Sequence, residues 1–455
     1  MGSLLIRGGS VLTMDPVRPV LEDGWLVIEG QDIAAMGQGT PPGRTAATTI
    51  EAASKIVIPG LINCHLHTRP GRALGDGLAL LDWHDRYADG FSARMSQADS
   101  YAGALLAFGE CLKAGATSVL AMPILPAGCG RAAEAIGIRA TIVPHGGDDP
   151  RNPGSLDPFE ENLALLQAQG SPAGRRVRYW LGFEHLLACT PGYLARMRDA
   201  LRTFDVGLHL HLNEGRGEVA ATRQKFGDLP ARVLEGAGLL GRRAVVAHAV
   251  WLEPEEQEIL ERTGTSVVHN PASNMRLGNG TAPVLELMAR GVNVCLGTDG
   301  MLSAYKLDPF ETMRLAVMLH RVAHLNCQAL PAARVLEMAT VNGARALGLE
   351  AEVGSIEVGK KADLVLLDGR ALHLTPRARP PHDHLATLLV YAAHGSDVET
   401  VLVDGEIVVK DRRLTWVDEA KIRQEAQAAS DRILATIEPA PGREPADRPG
   451  AAPRP

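Results

Sequence analysis

The stretch GLHLHLNEG, residues 207–215, determines the fold class that we predict for this chain. Leucine and histidine alternate in it, so the side chains of His209 and His211 point to the same face of a strand. Glu214 follows His211 after two intervening residues. An apolar strand that ends in imidazole and carboxylate groups is typical of parallel α/β folds, which place their functional groups at the carboxyl ends of buried strands.

The same histidine spacing occurs in INCHLHTRP, residues 62–70, which contains His65 and His67. Two further apolar runs end in residues that can bind a metal or move a proton, namely His248 and Asp299. A single H-x-H pair is weak support for a metal site, because paired histidines also occur as hydrogen-bonded groups in strands. The recurrence of such residues at several strand ends predicts one shared site.

Eight apolar runs have the length of buried strands, and amphipathic stretches such as residues 100–115 and 194–204 lie between several of them. Alternating β and α units in this number predict an α/β fold, the (β/α)8 TIM barrel. A doubly wound open sheet is the alternative, but no G-x-G-x-x-G follows a first strand. The runs are IVIPGLIN (56–63), ATSVLAM (116–122), RATIVP (139–144), RYWLGFE (178–184), DVGLHLH (205–211), RAVVAH (243–248), TSVVH (265–269) and VNVCLGT (292–298).

Short strand patterns at both ends of the chain predict a small β-sandwich domain that is built from the two termini. Near the C-terminus, Asp404-Gly405 stands between alternating apolar residues and predicts a hairpin turn. We divide the chain into an N-terminal part of the β domain (1–58), the metal-dependent barrel (59–352), a C-terminal part of the β domain (353–415), a C-terminal helix (416–438) and a disordered Pro-rich tail (439–455).

Composition excludes several classes of partner. The formal net charge is −7 and no Lys/Arg cluster occurs, which argues against nucleic acid. No apolar run reaches the roughly 18 residues of a membrane helix, and the N-terminus does not resemble a signal peptide. The six cysteines are scattered, so we expect buried, reduced thiols and a cytoplasmic protein. We also expect a homo-oligomer, either a dimer or a tetramer.

Five segments together resemble a known family. They are PGLINCHLH, HLHLNE, VVAHAVWL, HNPASNMRLGNG and LGTDG. They are similar to the amidohydrolase superfamily, and most similar to the branch that holds S-adenosylhomocysteine/methylthioadenosine deaminases, guanine and cytosine deaminases and triazine hydrolases. The resemblance runs from residue 1 to about residue 437 and includes the closing segment VLEMATVNGARALGLEAEVGSIEVGKKADLVLLD.

The resemblance implies one divalent ion and a role for each strand-end residue. In the family, the ligand on the fifth strand is the histidine followed by x-x-Glu, here His211, and we interpret His209 as a hydrogen-bonding group of the barrel interior. Zn²⁺ is the expected ion and Fe²⁺ the alternative, because imidazoles with one carboxylate suit both. Glu214 is expected to shuttle protons, His248 to hydrogen-bond the incoming oxygen, and Asp299 to accept a proton from water. The implied metal ligands are His65, His67, His211 and Asp299.

The substrate is less well defined. The segment RALGDGLALLDW, residues 72–83, resembles a family segment in which Trp83 packs against a planar heterocycle, although packing within its own loop is an equal alternative. His185 and Ser303 match family positions that contact substrate. Nucleoside deaminases of this branch carry a P-x-E segment soon after that tryptophan, and this chain does not. The small-molecule substrate is therefore open among purines, pyrimidines, pterins and s-triazines.

Other residues near the strand ends are weaker candidates. His145 and His269 follow barrel strands and are candidates for the pocket wall, whereas His84 is interpreted as an ordinary histidine. Tyr305 and Lys306 stand where the family often has asparagines, and we expect Lys306 to be solvated.

Three functions compete on these grounds. The first is a metal-dependent aminohydrolase, or deaminase, of an amino-substituted N-heterocycle. The second is a hydrolase of the same fold that releases halide or cleaves an amide or urea C–N bond. The third is a non-catalytic scaffold, which is disfavoured because scaffolds of such ancestry typically lose ligands and every expected ligand is present.

Overall fold

The computed structural model describes residues 3–41, 46–151, 157, 159–171, 174–378 and 384–437. The predicted disordered tail, residues 439–455, lies outside the described residues. Two kinds of sheet organise the chain: one mixed sheet that contains strands from both chain ends, and two parallel sheets in the middle.

The strands are β1 (Ser3–Leu12), β2 (Val20–Glu29), β3 (Asp32–Gln38), β4 (Thr48–Glu51), β5 (Lys55–Pro59), β6 (Leu61–Leu66), β7 (Ala116–Ala121), β8 (Arg139–Ile142), β9 (Val177–Tyr179), β10 (Leu181–Gly182), β11 (Leu208–Leu212), β12 (Ala244–His248), β13 (Ser266–His269), β14 (Val294–Leu296), β15 (Leu364–Asp368), β16 (Val398–Val403), β17 (Glu406–Lys410) and β18 (Arg413–Leu414).

The α-helices are α1 (Leu80–Trp83), α2 (Asp89–Ser92), α3 (Gln97–Lys113), α4 (Pro126–Ile136), α5 (Phe159–Gln169), α6 (Pro191–Thr203), α7 (Arg216–Phe226), α8 (Pro230–Gly236), α9 (Pro254–Thr263), α10 (Pro271–Arg276), α11 (Val284–Ala289), α12 (Pro309–Ala323), α13 (Ala332–Met338), α14 (Val341–Ala346), α15 (Leu385–Tyr391) and α16 (Glu419–Leu434). A π-helical turn, His84–Ala88, joins α1 to α2. Within the described part of the chain, no helix combines the length and apolarity that crossing a membrane requires.

Each of the eight predicted runs contains all or part of at least one strand of the two parallel sheets. One sheet has the order β6-β7-β8-β9 and the other the order β10-β11-β12-β13-β14. The fourth predicted strand links the two sheets, because β9 pairs with β8 and β10 with β11, with only Trp180 between them. On the other side, the Asp299 N–H donates to the His65 carbonyl over 3.0 Å. The predicted α/β class is confirmed, although main-chain ladders do not close the described strands into one barrel.

The first predicted run, residues 56–63, covers two strands rather than one. Residues 56–59 belong to β5, which pairs with β1 and β15 in the mixed sheet. The first of the eight parallel strands is β6, which begins at Leu61 after the Pro59-Gly60 pair. A continuous apolar run hides this change of sheet, because both strands are buried on both faces.

The β domain is one nine-stranded mixed sheet in its hydrogen bonding, with the order β18-β17-β16-β15-β5-β1-β2-β3 and β4 beside β1. The predicted sandwich implied two separate sheets. Register shifts near Gly9 bend β1 and let it pair with three partners, and the sheet encloses its own apolar core. The predicted hairpin is confirmed: β16 and β17 are antiparallel, and Asp404 and Gly405 both have positive φ, at 50° and 74°.

The core runs between the parallel strands and the surrounding helices. Five of the six cysteines are buried, as predicted, but Cys327 is exposed. The predicted C-terminal helix forms as α16, which packs against α3. The exact domain boundaries stay a prediction.

Candidate metal centre and active site

The predicted site residues come together at the carboxyl ends of the parallel strands. His65 lies in β6 and His67 directly follows it, His211 lies in β11, and His248 is the last residue of β12. Asp299 is the third residue after the end of β14. Parallel strands present their last side chains at one edge, so these five groups converge although they are far apart in sequence.

Glycines beside Asp299 make room for two of the histidines. A Cβ atom at Gly297 would lie 2.8 Å from the His65 Cβ, and one at Gly300 would lie 2.9 Å from the His67 Cβ. The G-T-D-G sequence therefore lets β14 approach β6 closely enough to place Asp299 among the imidazoles.

A relay of hydrogen bonds orients His65. His209 Nδ1 lies 2.7 Å from the Val245 carbonyl and must donate to it, which leaves His209 Nε2 as an acceptor. His65 Nδ1 then donates to His209 Nε2 over 2.8 Å. The lone pair of His65 is thereby confined to Nε2, which is fully buried and has no hydrogen-bond partner among the described residues.

His67 and His211 are held in the same way by main-chain carbonyls. His67 Nδ1 donates to Met122 O over 3.0 Å, and His211 Nδ1 donates to Glu184 O over 2.6 Å. Both Nε2 atoms therefore carry lone pairs, and these atoms face each other at 3.1 Å. Two facing lone pairs repel unless a cation or a proton lies between them, so this arrangement suits a metal ion.

Asp299 adds a carboxylate to the three imidazoles. Its Oδ1 lies 3.7 Å from His65 Nε2 and 3.6 Å from His67 Nε2. The candidate ligand atoms of His65, His67 and His211 lie within 4.8 Å of one another, as do those of His65, His248 and Asp299. Three imidazoles with one carboxylate match the preference of zinc and related divalent ions.

Burial keeps these imidazoles neutral. It is the main reason that the pKa of His67 falls to about 4 and that the pKa values of His65 and His211 fall well below the usual value. Burial alone would raise the pKa of Asp299, but the facing His67 and His248 lower it. Neutral imidazoles and an ionised carboxylate are the protonation states that bind a metal.

The backbone at the strand ends is strained. His248, Asp299 and Asn213 have φ values of 73°, 62° and 51°. Such left-handed conformations cost free energy in residues with side chains, and they cluster at functional sites. Two of these residues, His248 and Asp299, contribute to the site, whereas the Asn213 side chain donates to Trp251 O and to Glu256.

Glu214 lies beside the metal ligands and is positioned to carry a proton. Its Oε1 accepts from Asn279 Nδ2 over 3.0 Å, and its Oε2 lies 3.5 Å from His248 Nε2. Burial raises the pKa of Glu214, and His248 opposes part of that shift. Asn279 belongs to the HNPASNMRLGNG segment that resembles the family, and this role of the asparagine was not predicted from sequence.

His248 links the two carboxylates. Its Nδ1 lies 2.9 Å from Asn274 Oδ1, and its Nε2 lies 3.9 Å from Asp299 Oδ2 as well as close to Glu214. A single ring nitrogen thus faces both groups that are expected to exchange protons.

The predicted substrate-contact residues line the same pocket. Trp83, His185 and Ser303 all face it, and Trp83 also donates from Nε1 to Leu74 O over 3.2 Å. Both interpretations of Trp83, as pocket wall and as loop packing, therefore describe its contacts. The lining residues are His67, Arg69, Leu80, Trp83, His84, His145, Glu184, His185, His211, Glu214, Leu277, Asp299 and Ser303.

Three polar lining residues were missed or misinterpreted from sequence. His84, interpreted as ordinary, lies on the pocket wall with its Nδ1 3.1 Å from Asp89 Oδ1 and 3.4 Å from Glu184 Oε1. Arg69 and Glu184 were not singled out, although Glu184 stands next to His185 at the end of the fourth strand, where a strand-end search would have found it. His84 lies in a connecting segment, and nothing local in its sequence marks its long-range contacts.

The other candidate residues for the pocket have different surroundings. His145 lines the pocket, whereas His269 does not and instead packs against His320 at 5.1 Å between ring centroids. Tyr305 accepts a hydrogen bond from Arg276, and Lys306 is exposed and paired with Glu311, as predicted for a solvated lysine.

Parallel strands that end in three imidazoles and a carboxylate, with a protonatable glutamate beside them, define a metal-dependent hydrolase. The amidohydrolase family model matches residues 56–408, and the chain belongs to this family. It is accordingly a hydrolase that acts on C–N bonds, as predicted.

Curated relatives and solved structures agree with this assignment. The chain is 38% identical over 441 residues to a 5′-deoxyadenosine deaminase of Methanosarcina mazei, covering 96% of this chain and 100% of that protein. It is 37% identical to a 5-methylthioadenosine/S-adenosylhomocysteine deaminase of Desulforudis audaxviator, covering 90% of this chain and 95% of that one. A zinc-bound adenosine deaminase from Xanthomonas campestris has a TM-score of 0.86 and 30% identity, covering 95% and 99% of the two chains.

A second zinc-bound structure extends the comparison to another chemistry. The atrazine chlorohydrolase of Arthrobacter aurescens TC1, complexed with zinc, has a TM-score of 0.85 and 26% identity, covering 94% of this chain and 99% of that one. The predicted relationship to the deaminase and triazine hydrolase branch is confirmed.

Proposed function

We propose that this protein is a zinc-dependent deaminase of an amino-substituted purine carried on a nucleoside-type substrate. The observation that supports it most strongly is that the Nε2 lone pairs of His65, His67 and His211 converge on one place. Asp299 and the protonatable Glu214 lie next to them. The adenosine-type substrates in the names of its relatives favour a purine over the other heterocycles.

Two features of the structure favour a zinc ion at these residues. His65 Nε2 is buried without a partner, and the facing Nε2 atoms of His67 and His211 require a cation or proton between them. When bound, the ion supplies a water whose pKa is lowered towards about 7. Zinc is proposed over iron because zinc-bound relatives share this fold.

Asp299 and His248 would manage the attacking water. The Asp299 carboxylate, kept ionised by its neighbours, can accept the proton that the water loses. Once protonated, His248 can donate from Nε2 to the incoming oxygen, because this nitrogen faces Asp299 Oδ2 at 3.9 Å. Such a donor stabilises the oxyanion that develops during attack on the ring carbon.

Glu214 would protonate the substrate. Burial raises its pKa and so favours the protonated form, which can deliver its proton to the ring nitrogen next to the attacked carbon. Asn279 fixes one carboxyl oxygen and leaves Oε2 to act. The proton that Asp299 took from the water then passes to the amino group, ammonia leaves, and the hydroxyl proton of the intermediate returns to Glu214.

The apolar wall would hold the heterocycle. Leu80, Trp83 and Leu277 form this wall beside Glu214, and they belong to one satellite core under the loop. Trp83 offers a planar surface, and Ser303 and His185 offer hydrogen bonds.

We also propose that the two parallel sheets are halves of one closed (β/α)8 barrel, joined through Trp180 and through the Asp299–His65 hydrogen bond. The domain boundaries given from the sequence and a homo-oligomeric state belong to the same proposal.

Ammonia release from a panel of purine nucleosides, free purines, pyrimidines, pterins and triazines tests the function. We expect adenosine-type nucleosides to release ammonia, and the Glu214→Gln variant to lose at least about 10³-fold in kcat. The exposed Glu258→Gln variant is the control and should match the wild type. Chloride release from a chlorotriazine without ammonia release from any amine would replace this proposal with the halide-releasing alternative.

A further inference from the structure

A second cavity lies at the end of the parallel strands that is opposite to the metal centre. Its wall includes Arg243, which precedes β12, Ser266, the first residue of β13, and Asn293, which precedes β14. These residues mark the amino ends of the strands, whereas the metal centre lies at the carboxyl ends. We call this space the lower cavity, and its volume is about 740 Å³. It is therefore separate from the proposed substrate pocket.

Arg178 belongs to the wall of the lower cavity and is buried. Only 7% of this residue is exposed, and it forms no ion pair with any of the described residues. The carboxylate that acts on it is that of Glu352, which lies beyond ion-pair distance. Arginine side chains are almost never fully buried unless they are paired, because an unpaired buried charge is costly. The burial of Arg178 therefore calls for a negative partner.

The contacts of Arg178 hold its guanidinium in place with neutral groups. Nη2 donates to the Thr141 hydroxyl over 2.8 Å and to Leu347 O over 3.1 Å. The guanidinium carbon lies 5.7 Å from the centre of the Trp180 ring. Nε is buried without a hydrogen-bond partner among the described residues, and Nη1 donates to none of them either. Two of the three guanidinium nitrogens thus remain available to a ligand.

The wall of the lower cavity carries an excess of positive charge. Asp205 is paired with Arg243, and Glu261 is paired with Arg290 over 3.1 Å. The other charged groups of the wall form no ion pair within the described part of the chain. They are three arginines and two glutamates, namely Arg178, Arg242, Arg345, Glu350 and Glu352. A ligand with a single negative charge would balance them.

Burial does not remove the charge of Arg178. It lowers the pKa of this guanidinium to about 10, and Glu352 opposes part of that shift. A group with such a pKa is still protonated at neutral pH. The fold thus keeps a full positive charge in a buried position, where the attraction of an anion is stronger than at the surface.

We propose that the lower cavity binds a small oxyanion, of the phosphate or carboxylate type, at Arg178. A planar guanidinium suits such groups because its N–H bonds can donate to two oxygens at once. The anion would supply the negative partner that the fold does not provide, and Arg242 and Arg345 lie on the same wall. Because the lower cavity and the metal centre lie at opposite ends of the strands, this ligand would not compete with the substrate.

Equilibrium dialysis of the metal-loaded protein tests the proposal, with labelled inorganic phosphate and labelled acetate as separate probes. We expect the wild type to bind one more anion per chain than the Arg178→Met variant, for at least one of the probes. An anion held at the metal centre is common to both proteins and cancels in this comparison. The variant should fold, because replacing an unpaired buried charge by an apolar side chain does not destabilise a protein in general.

Arg178→Lys provides a second comparison. It keeps the positive charge but lacks the planar pair of donors, so the affinity for the probe should fall at least about tenfold. Arg262→Met is the matched control. Arg262 is exposed and lies outside the wall of the lower cavity, and its replacement also removes one positive charge, so this variant should bind as the wild type does.

Three outcomes overturn the proposal. The first is that the wild type binds neither phosphate nor acetate. The second is that Arg178→Met binds as much of each probe as the wild type, which would leave the lower cavity filled by water alone. The third applies if Arg178→Met does not fold, and it is an unchanged affinity in Arg178→Lys. None of these results bears on ammonia release, so the proposed function is tested independently.

Discussion

At the scale of single residues, His209 shows how a side chain that is not a proposed ligand can decide which nitrogen a ligand offers. It is fully buried between Val245 O and His65 Nδ1, and burial lowers its pKa to about 3. It therefore stays neutral with its proton on Nδ1. The lone pair on His209 Nε2 then forces the proton of His65 onto Nδ1.

This relay predicts that metal affinity depends on an acceptor at position 209. We expect His209→Leu to weaken zinc binding about 10- to 100-fold, which is typical when a hydrogen bond that orients a ligand is lost. His209→Gln keeps an acceptor and should recover most of the affinity. Competition with a chromogenic chelator measures both, with the exposed His324→Gln as control. Equal affinities for the leucine and glutamine variants would contradict the relay.

Glu218 predicts a pH dependence of stability. Burial, and then the charge of Glu214, raise the pKa of Glu218 to about 8. The folded protein holds this proton more tightly than the unfolded chain, whose glutamate pKa is about 4.3. The free energy of unfolding therefore falls as the pH rises from about 4.3 through 8.

Glu218→Gln should remove this dependence. The variant is expected to gain up to about 5 kcal/mol over the wild type at pH 9, and the gain should vanish towards pH 4. Urea unfolding across this range measures it, with the exposed Glu286→Gln as control. A difference that stays constant with pH would show that the glutamate does not titrate in this range.

At the scale of elements, β8 joins the parallel strands to the β domain through its first residue. Arg139 is buried and makes two 3.0 Å hydrogen bonds to Asp363, which precedes β15. It also contacts Asp404 in the β16–β17 turn. Asp404-Gly405 is thus both a hairpin turn, as its sequence predicts, and an anchor, which its sequence does not reveal.

Loss of Arg139 should destabilise the protein strongly. Arg139→Met leaves the buried Asp363 carboxylate without its cation, whereas Asp404 keeps its ion pair with Arg176. Breaking such a buried pair typically costs about 3–5 kcal/mol. The double variant Arg139→Met with Asp363→Leu should recover part of that loss. The exposed pair of Arg7 and Glu51 gives the control, since Arg7→Met should change stability by less than about 1 kcal/mol. Equal losses of unfolding free energy in Arg139→Met and Arg7→Met, measured by urea unfolding, would contradict this prediction.

How well an element can be predicted depends on how far apart in sequence its interacting residues lie. The eight parallel strands can be predicted because burial on both faces leaves continuous apolar runs. Strand ends share one edge, so the sequence also predicts the convergence of His65, His67, His211 and Asp299. The local sequence predicts neither the strand boundary at Pro59-Gly60 nor the position of His84 on the pocket wall. Both are decided by partners distant in sequence, namely β15 and Glu184.

At the scale of the whole molecule, the proposed ligands come from both parallel sheets. His65 and His67 belong to the β6 side, whereas His211 and Asp299 belong to the β11–β14 side. The metal ion would therefore connect the two sheets, in addition to Trp180 and the Asp299–His65 hydrogen bond. Its contribution to stability should be visible apart from any activity.

Removal of the metal should lower the melting temperature of the whole chain. An ion present at about 1,000 times its Kd stabilises the folded state by about 4 kcal/mol, because it binds the folded chain and not the unfolded one. We expect chelation to lower Tm by several degrees and added Zn²⁺ to restore it, as measured by calorimetry. The Asp299→Asn variant should respond much less to either treatment. It weakens the carboxylate ligand through which the ion connects the two sheets, while it leaves the histidines in place. An identical response in wild type and variant would place the stabilising ion elsewhere.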